Sequence, residues 1–144
     1  MPHSLNNQWQ PCFADPWRGV AHFDGLTIEA DPVTSGIPQR VLPCIQDEQI
    51  YFCRMVRALI PDGEKLQGKK AVDLGTGSGV LALYAAALGM KVTGIDRCER
   101  ALDFANYNLL LNRAILPAGP ESVRFLQGDW TSQSLLEPFA NNAD

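Results

Sequence analysis

The string Val72-Asp73-Leu74-Gly75-Thr76-Gly77-Ser78-Gly79 constrains this chain more than any other feature. Val72 and Leu74 are the alternating apolar positions of a short buried strand. The glycines that follow let the backbone turn tightly and approach a ligand without a Cβ in the way. Val80 to Leu88 then reads as an apolar helix, with Gly89 as its stop. The first N–H groups of such a helix point into the crevice at the carboxyl end of the strand, where open α/β sheets bind their ligands. Lys91-Val92-Thr93-Gly94-Ile95-Asp96 supplies a second strand, so the unit is strand, crossover helix and parallel strand, expected to be right-handed.

Composition narrows the setting. The 144 residues suffice for one domain with a real core. No apolar run approaches the ~18 residues of a membrane span, and the N-terminus lacks a basic region followed by an apolar one. Twelve basic and 16 acidic side chains leave a net charge of -4, which gives no general attraction for nucleic acid or anionic lipid. Cys12, Cys44, Cys53 and Cys98 are scattered, as expected of reduced thiols in a cytoplasmic protein. With only His3 and His22 besides, no metal site is expected.

Residues 1–19 are rich in Asn, Gln and Pro and read as an irregular arm. Val20 to Phe23 and Leu26 to Glu29 flank Asp24-Gly25, a strong turn signal, and predict a small β-hairpin with a structural role. Asp31 to Pro43 reads as a loop. Ile50, Cys53, Val56 and Ile60 recur at helical spacing, with Arg54 and Arg57 toward the end where positive charge suits the helix dipole. Pro61-Asp62-Gly63 stops that helix. Residues 20–64 therefore form a hairpin-plus-helix preamble packed on the α/β region that begins at 65. Beyond the second strand, Leu102 to Leu111 predicts a helix with Leu102, Ala105 and Leu109 on one face. Asn106, Asn108 and Asn112 lower its propensity without breaking the pattern. Val123 to Leu126 predicts a third strand, followed by Gly128-Asp129-Trp130 and a short helical turn over Leu135 to Phe139.

The crevice discriminates among cofactors. A dinucleotide fingerprint needs a third glycine three residues beyond the second, and that position is Val80. A nicotinamide-dependent oxidoreductase is thereby the weaker alternative. No lysine follows the glycines to meet phosphate, which suits a ligand without a polyphosphate. Asp96, about 20 residues beyond the glycines, is a carboxylate able to accept both hydroxyl hydrogens of a ribose. Asp73 lies inside the strand pattern, where a buried carboxylate needs partners. It either binds nearby backbone N–H groups to hold the turn or meets a cationic ligand group. Asp129 offers an acceptor for an adenine amino group, and Trp130 an apolar surface.

Together, the Val72 to Gly79 string, Asp96 and Gly128-Asp129-Trp130 resemble the class I S-adenosylmethionine-dependent methyltransferases. Within that superfamily they are most similar to the branch of release-factor glutamine methyltransferases and ribosomal-RNA guanine methyltransferases. The likeness is strong over about Lys69 to Trp130. It is faint over Phe23 to Ile60, where Arg40-Val41-Leu42-Pro43 and Asp47-Glu48 resemble the segment preceding the domain in the glutamine enzymes. The resemblance implies that Asp73, Gly75 and Gly77 surround the methionine part of the cofactor, with Thr76 and Gly79 in the same loop. It implies that Asp96 holds the ribose and that Asp129 and Trp130 border the adenine. The expected fold is α/β, an incomplete Rossmann-like domain with its first three parallel strands in the order 3-2-1.

That branch positions its acceptor nitrogen with an Asn-Pro-Pro-Tyr motif after the fourth strand, and no such motif occurs in these residues. The region 65–144 is accordingly expected to be the N-terminal half of its domain, truncated before the fourth strand. The chain alone is expected to bind S-adenosylmethionine weakly or not at all and to lack catalytic residues of its own. The parent's acceptor is expected to be a protein glutamine or an RNA base. The first strand is expected to be an open sheet edge available for self-association, so a noncatalytic assembly module is a further alternative.

Overall fold

The computed structural model describes residues 13–15, 17–38, 41, 48–59 and 66–140. Two three-stranded sheets account for its strands: β1 (Phe13–Asp15), β2 (Val20–Phe23) and β3 (Leu26–Glu29) form an antiparallel meander in that order. The other sheet, β4 (Lys70–Leu74), β5 (Lys91–Asp96) and β6 (Val123–Gln127), is parallel with β5 in the middle. Helix α1 (Glu48–Leu59) precedes β4, α2 (Val80–Ala87) joins β4 to β5, α3 (Glu99–Asn112) joins β5 to β6, and α4 (Gln133–Leu136) follows. Among the described residues, no helix is long and apolar enough to cross a membrane.

The expected hairpin is present and larger than expected. Asp24 and Gly25 both have positive φ, 47° and 86°, the type I′ geometry whose twist matches the flanking strands. The arm expected to be irregular nevertheless contributes β1, paired with β2 from Phe13 opposite His22 to Asp15 opposite Val20. Residues 1–12, including Trp9 and Cys12, lie outside the described residues, as do Arg40, Leu42, Pro43, Cys44 and Asp47.

The meander is packed onto the α/β unit through apolar side chains. Ala21, Phe23, Leu26 and Ile28 are buried together with Ile50 and Cys53 of α1 and Val80, Leu83 and Tyr84 of α2. On the neighbouring stretch of the parallel sheet, Val92 and Val123 pack with Ala82 and Ala86 of α2 and with Leu116. A polar contact sits within the first cluster. Tyr84 donates its hydroxyl hydrogen to Asp24 Oδ2 at 3.2 Å, and Arg54 Nη2 donates to Asp24 Oδ1 at 3.4 Å. The rings of Tyr84 and Phe23 stack with centroids 6.0 Å apart. Burial, reinforced by the Asp24 charge, pushes the Tyr84 hydroxyl up to about 12, so it stays a proton donor across the physiological range.

Helix α3 is longer than the apolar spacing predicts, beginning at Glu99 rather than Leu102. Its first turn is held by a long-range ion pair. Arg100 donates from Nε to Asp31 Oδ2 at 3.1 Å and from Nη2 to Asp31 Oδ1. Asp31 also accepts the Val41 N–H at 3.1 Å, which seats that part of the loop against the helix start. Replacing Tyr84 by phenylalanine removes a donor from buried Asp24 and is expected to cost roughly 1–3 kcal/mol. Urea unfolding of Tyr84→Phe with an unchanged midpoint would show that the hydroxyl contributes nothing.

Candidate functional site

The parallel register brings the carboxyl ends of three strands side by side. Leu74 pairs with Ile95, and Asp96 pairs with Gln127. The Gly128 N–H donates to the Asp96 carbonyl at 2.9 Å, so the segment leading into Asp129 and Trp130 departs beside Asp96. The Gly75 and Thr76 N–H groups donate to the Ile95 carbonyl at 2.8 and 3.0 Å, which draws the glycine loop across the end of β5. All the sequence-predicted site residues thus lie along one edge of the sheet.

Asp96 links this edge together. Its Oδ2 accepts the Gly77 N–H at 2.9 Å and its Oδ1 accepts the Cys98 N–H at 2.9 Å. Cys98 is the residue before α3, so one carboxylate joins the glycine loop to the start of the next helix. Each oxygen keeps acceptor capacity beyond its protein bond.

Asp73 faces inward. Its Oδ2 accepts the Thr76 hydroxyl at 2.7 Å and the Ala82 N–H at 3.2 Å. The residue before α2 is Gly79, with no side chain to cap the helix, and the strand carboxylate supplies an acceptor for one of its first-turn donors. Of the two roles open to Asp73 in the sequence, holding the turn is the one visible in the structure. Burial raises its pKa from the ordinary Asp value, and the Thr76 and Ala82 hydrogen bonds offset that only in part.

The glycines differ in what they do. A Cβ built on Gly75 would meet no atom within 4 Å, and one on Gly77 would meet only the Gly75 carbonyl oxygen at 4.0 Å, so both open onto space. Gly79 instead faces the core, where a Cβ would come within 3.1 Å of the Phe125 ring and 3.2 Å of Ala105 Cβ. Gly94 is an ordinary strand position by sequence, yet a Cβ there would lie 2.6 Å from the Phe125 ring and 2.7 Å from Thr76 Oγ1. The missing side chain is what lets the loop hydroxyl reach Asp73. No local signal distinguishes that glycine, because its crowding comes from β6 and the loop.

Asp129 and Trp130 sit at the outer end of the edge. Asp129 Oδ1 accepts the Thr131 N–H at 2.9 Å and its hydroxyl at 2.7 Å, and these bonds lower the carboxyl pKa. Trp130 is 49% exposed and Leu74 47%, so both present apolar surface beside the crevice. A cavity of about 450 Å³ lies elsewhere, lined by Lys70, Lys91, Thr93, Arg124 and Phe139 among others. It adjoins the amino ends of β4 and β5 and includes none of the predicted site residues.

A strand-end carboxylate bonded to the N–H of an open glycine loop can accept hydrogen bonds from a hydroxylated, nucleoside-like ligand. The family described as ribosomal protein L11 methyltransferase matches residues 56–124. The release factor glutamine methyltransferase of Gloeobacter violaceus is 32% identical over 123 residues, which is 84% of this chain and 37% of that protein. The ribosomal protein L11 methyltransferase of Halalkalibacterium halodurans is 39% identical over 98 residues, covering 65% of this chain and 27% of that protein. In sequence the chain is similar to these methyltransferases. In fold, it aligns with a SAM-dependent methyltransferase from Agrobacterium tumefaciens at a TM-score of 0.52 and 20% identity, covering 86% of this chain and 34% of that one. Like that structure, it has the Rossmann-like arrangement of parallel strands and helices. The chain spans 37% and 27% of the lengths of these two curated relatives.

The Asp73 carboxylate has a consequence for stability. Because its folded pKa is raised, the folded state binds the proton more tightly than the unfolded state, and this group costs stability as pH rises through that interval. Asp73→Asn keeps an acceptor oxygen and removes the buried charge. Its urea midpoint at neutral pH is expected to equal or exceed that of the parent chain, with a weaker fall from acid to neutral pH. A clearly lower neutral midpoint would contradict the assignment of a net burial cost.

Proposed function

We propose that this chain carries the S-adenosylmethionine-binding part of a methyltransferase whose acceptor is a protein side chain, with glutamine favoured over an RNA base. The observation that carries the cofactor reading is Asp96, held at the sheet edge by the Gly77 N–H with acceptor capacity to spare. In this reading Asp96 takes the ribose hydroxyls. Asp73, Gly75, Thr76 and Gly77 form the methionine end, and Gly79 seats their loop against Phe125 and Ala105. The open faces of Gly75 and Gly77 leave room for it, and a cationic ligand group near Asp73 would offset the burial that raises its pKa. Asp129 Oδ2 and the exposed face of Trp130 border the adenine.

When bound, the cofactor supplies a methyl group on a positively charged sulfur, open to in-line attack by a nucleophile. The residues of this chain bind and orient; none is assigned to hold the acceptor. No Asn-Pro-Pro-Tyr occurs in the 144 residues, and no turnover is expected from them alone. A protein acceptor is favoured because the similarity to the release factor glutamine methyltransferase extends over 84% of the chain, well beyond the glycine loop. The net charge of -4 provides no general basic surface for RNA.

Calorimetric or NMR titration with S-adenosylhomocysteine tests the reading. Among the described residues no strand pairs with the far edge of β4, so the crevice is open on that side and a micromolar or weaker Kd is expected. A nicotinamide dinucleotide is expected to bind less tightly still, and Asp96→Asn to weaken S-adenosylhomocysteine about tenfold. Tighter binding of the dinucleotide, or an Asp96→Asn variant of undiminished affinity, would overturn it.

A further inference from the structure

Asn108 and Asn112, which the sequence marks only as poor helix formers, are buried, and each bonds through both amide hydrogens and its oxygen. In a type I′ hairpin closing at Phe23 and Leu26, the backbone groups of Thr27 and Glu29 point away from β2, toward the free edge of β3. Asn112 Oδ1 accepts the Thr27 N–H at 2.8 Å, and its Nδ2 donates to the Thr27 carbonyl at 2.6 Å and to the Asn108 carbonyl at 2.7 Å. Asn108 Oδ1 accepts the Glu29 N–H at 2.8 Å, and its Nδ2 donates to the Glu29 carbonyl at 2.8 Å. The two residues make the same pair of bonds to β3. They differ in one respect: the second Nδ2 hydrogen of Asn108 goes to the Ser78 carbonyl at 2.9 Å, inside the glycine loop.

That bond falls on a sensitive peptide. Ser78 is followed by Gly79, whose φ of 86° puts it in the left-handed region, and a glycine there has little intrinsic preference for one orientation of the preceding peptide plane. The plane is pinned at both ends, its carbonyl by Asn108 and its N–H by donation to the Thr76 carbonyl at 2.8 Å. On the other side of Ser78 lies Gly77, whose N–H is the donor to Asp96. Without Asn108 the buried Ser78 carbonyl loses its side-chain partner, and the Ser78–Gly79 plane is held at one end only.

We propose that Asn108 is a positioning residue for the cofactor loop. It fixes the Ser78–Gly79 peptide and thereby the Gly77 N–H on Asp96, and it braces that loop against the meander through Glu29. The cofactor part of this inference rests on the function proposed above; the loop-ordering part does not.

Asn112 provides the control, since it makes the same two bonds to β3 and is not the residue bonded to Ser78. The full chain, labelled with nitrogen-15, is compared as wild type, Asn108→Ala and Asn112→Ala. Both variants are expected to lose stability. Only Asn108→Ala is expected to shift the Gly77 and Gly79 amide resonances strongly and to speed their hydrogen exchange in the free protein. Only Asn108→Ala is expected to weaken S-adenosylhomocysteine on the order of tenfold. If Asn108→Ala does not fold, Asn108→Ser takes its place with the same readouts. Unchanged Gly77 and Gly79 amides in the Asn108 variant, or equal changes in Asn112→Ala, would overturn the proposal. If the wild type shows no binding of S-adenosylhomocysteine, the cofactor reading fails, and the amide comparison in the free protein still decides the role of Asn108.

Discussion

Two asparagine amides on one helix, lying along the outward edge of one strand, hold this fold together across more than 75 positions of sequence. The match is geometric. Residues four apart on a helix are separated by about 6 Å, and residues two apart on a strand by nearly 7 Å. An amide presents a donor and an acceptor side by side, as a neighbouring strand would. Helix α3 therefore closes the open edge of β3 by side chains, and the apolar face of the meander turns onto α1 and α2. The preamble and the α/β unit share a single buried cluster in consequence.

The candidate site inherits this arrangement. The end of β5 anchors the glycine loop by its backbone, Asp96 anchors it by a side chain, and α3 starts from the same carboxylate. The ion pair of Arg100 with Asp31 secures that helix start from the other direction. A ligand at the crevice thus meets a surface assembled from consecutive β-α-β elements, with the preamble braced behind it. The site is shaped by close backbone approach as much as by polar groups, as the crowding around Gly94 and Gly79 shows.

Much of this was legible in the chain. The glycine string, the apolar helix after it and the carboxylate ending the next strand are local signals, and the structure places them at one sheet edge. The Asp24-Gly25 turn carried its own geometry. What escaped the sequence was set by partners distant in the chain. Phe13-Ala14-Asp15 is too short to show a strand period, lies close to prolines on both sides, and becomes β1 only because β2 offers an edge. The start of α3 owes as much to Asp31 as to its own apolar spacing. Asn108 and Asn112 weaken a helix in isolation, and their value appears only when β3 lies alongside. Gly94 looks like any strand glycine until Phe125 and Thr76 converge on it.

Asp73 carries a consequence for how such a chain would age. Asp and Asn codons differ by a single base, so an amide at this position is always one mutational step away. Where nothing needs the charge, drift toward the neutral side chain relieves burial without losing the acceptor that Thr76 and Ala82 use. A lineage that had abandoned its ligand would therefore be expected to shed this carboxylate early, well before its glycines, which the backbone itself requires.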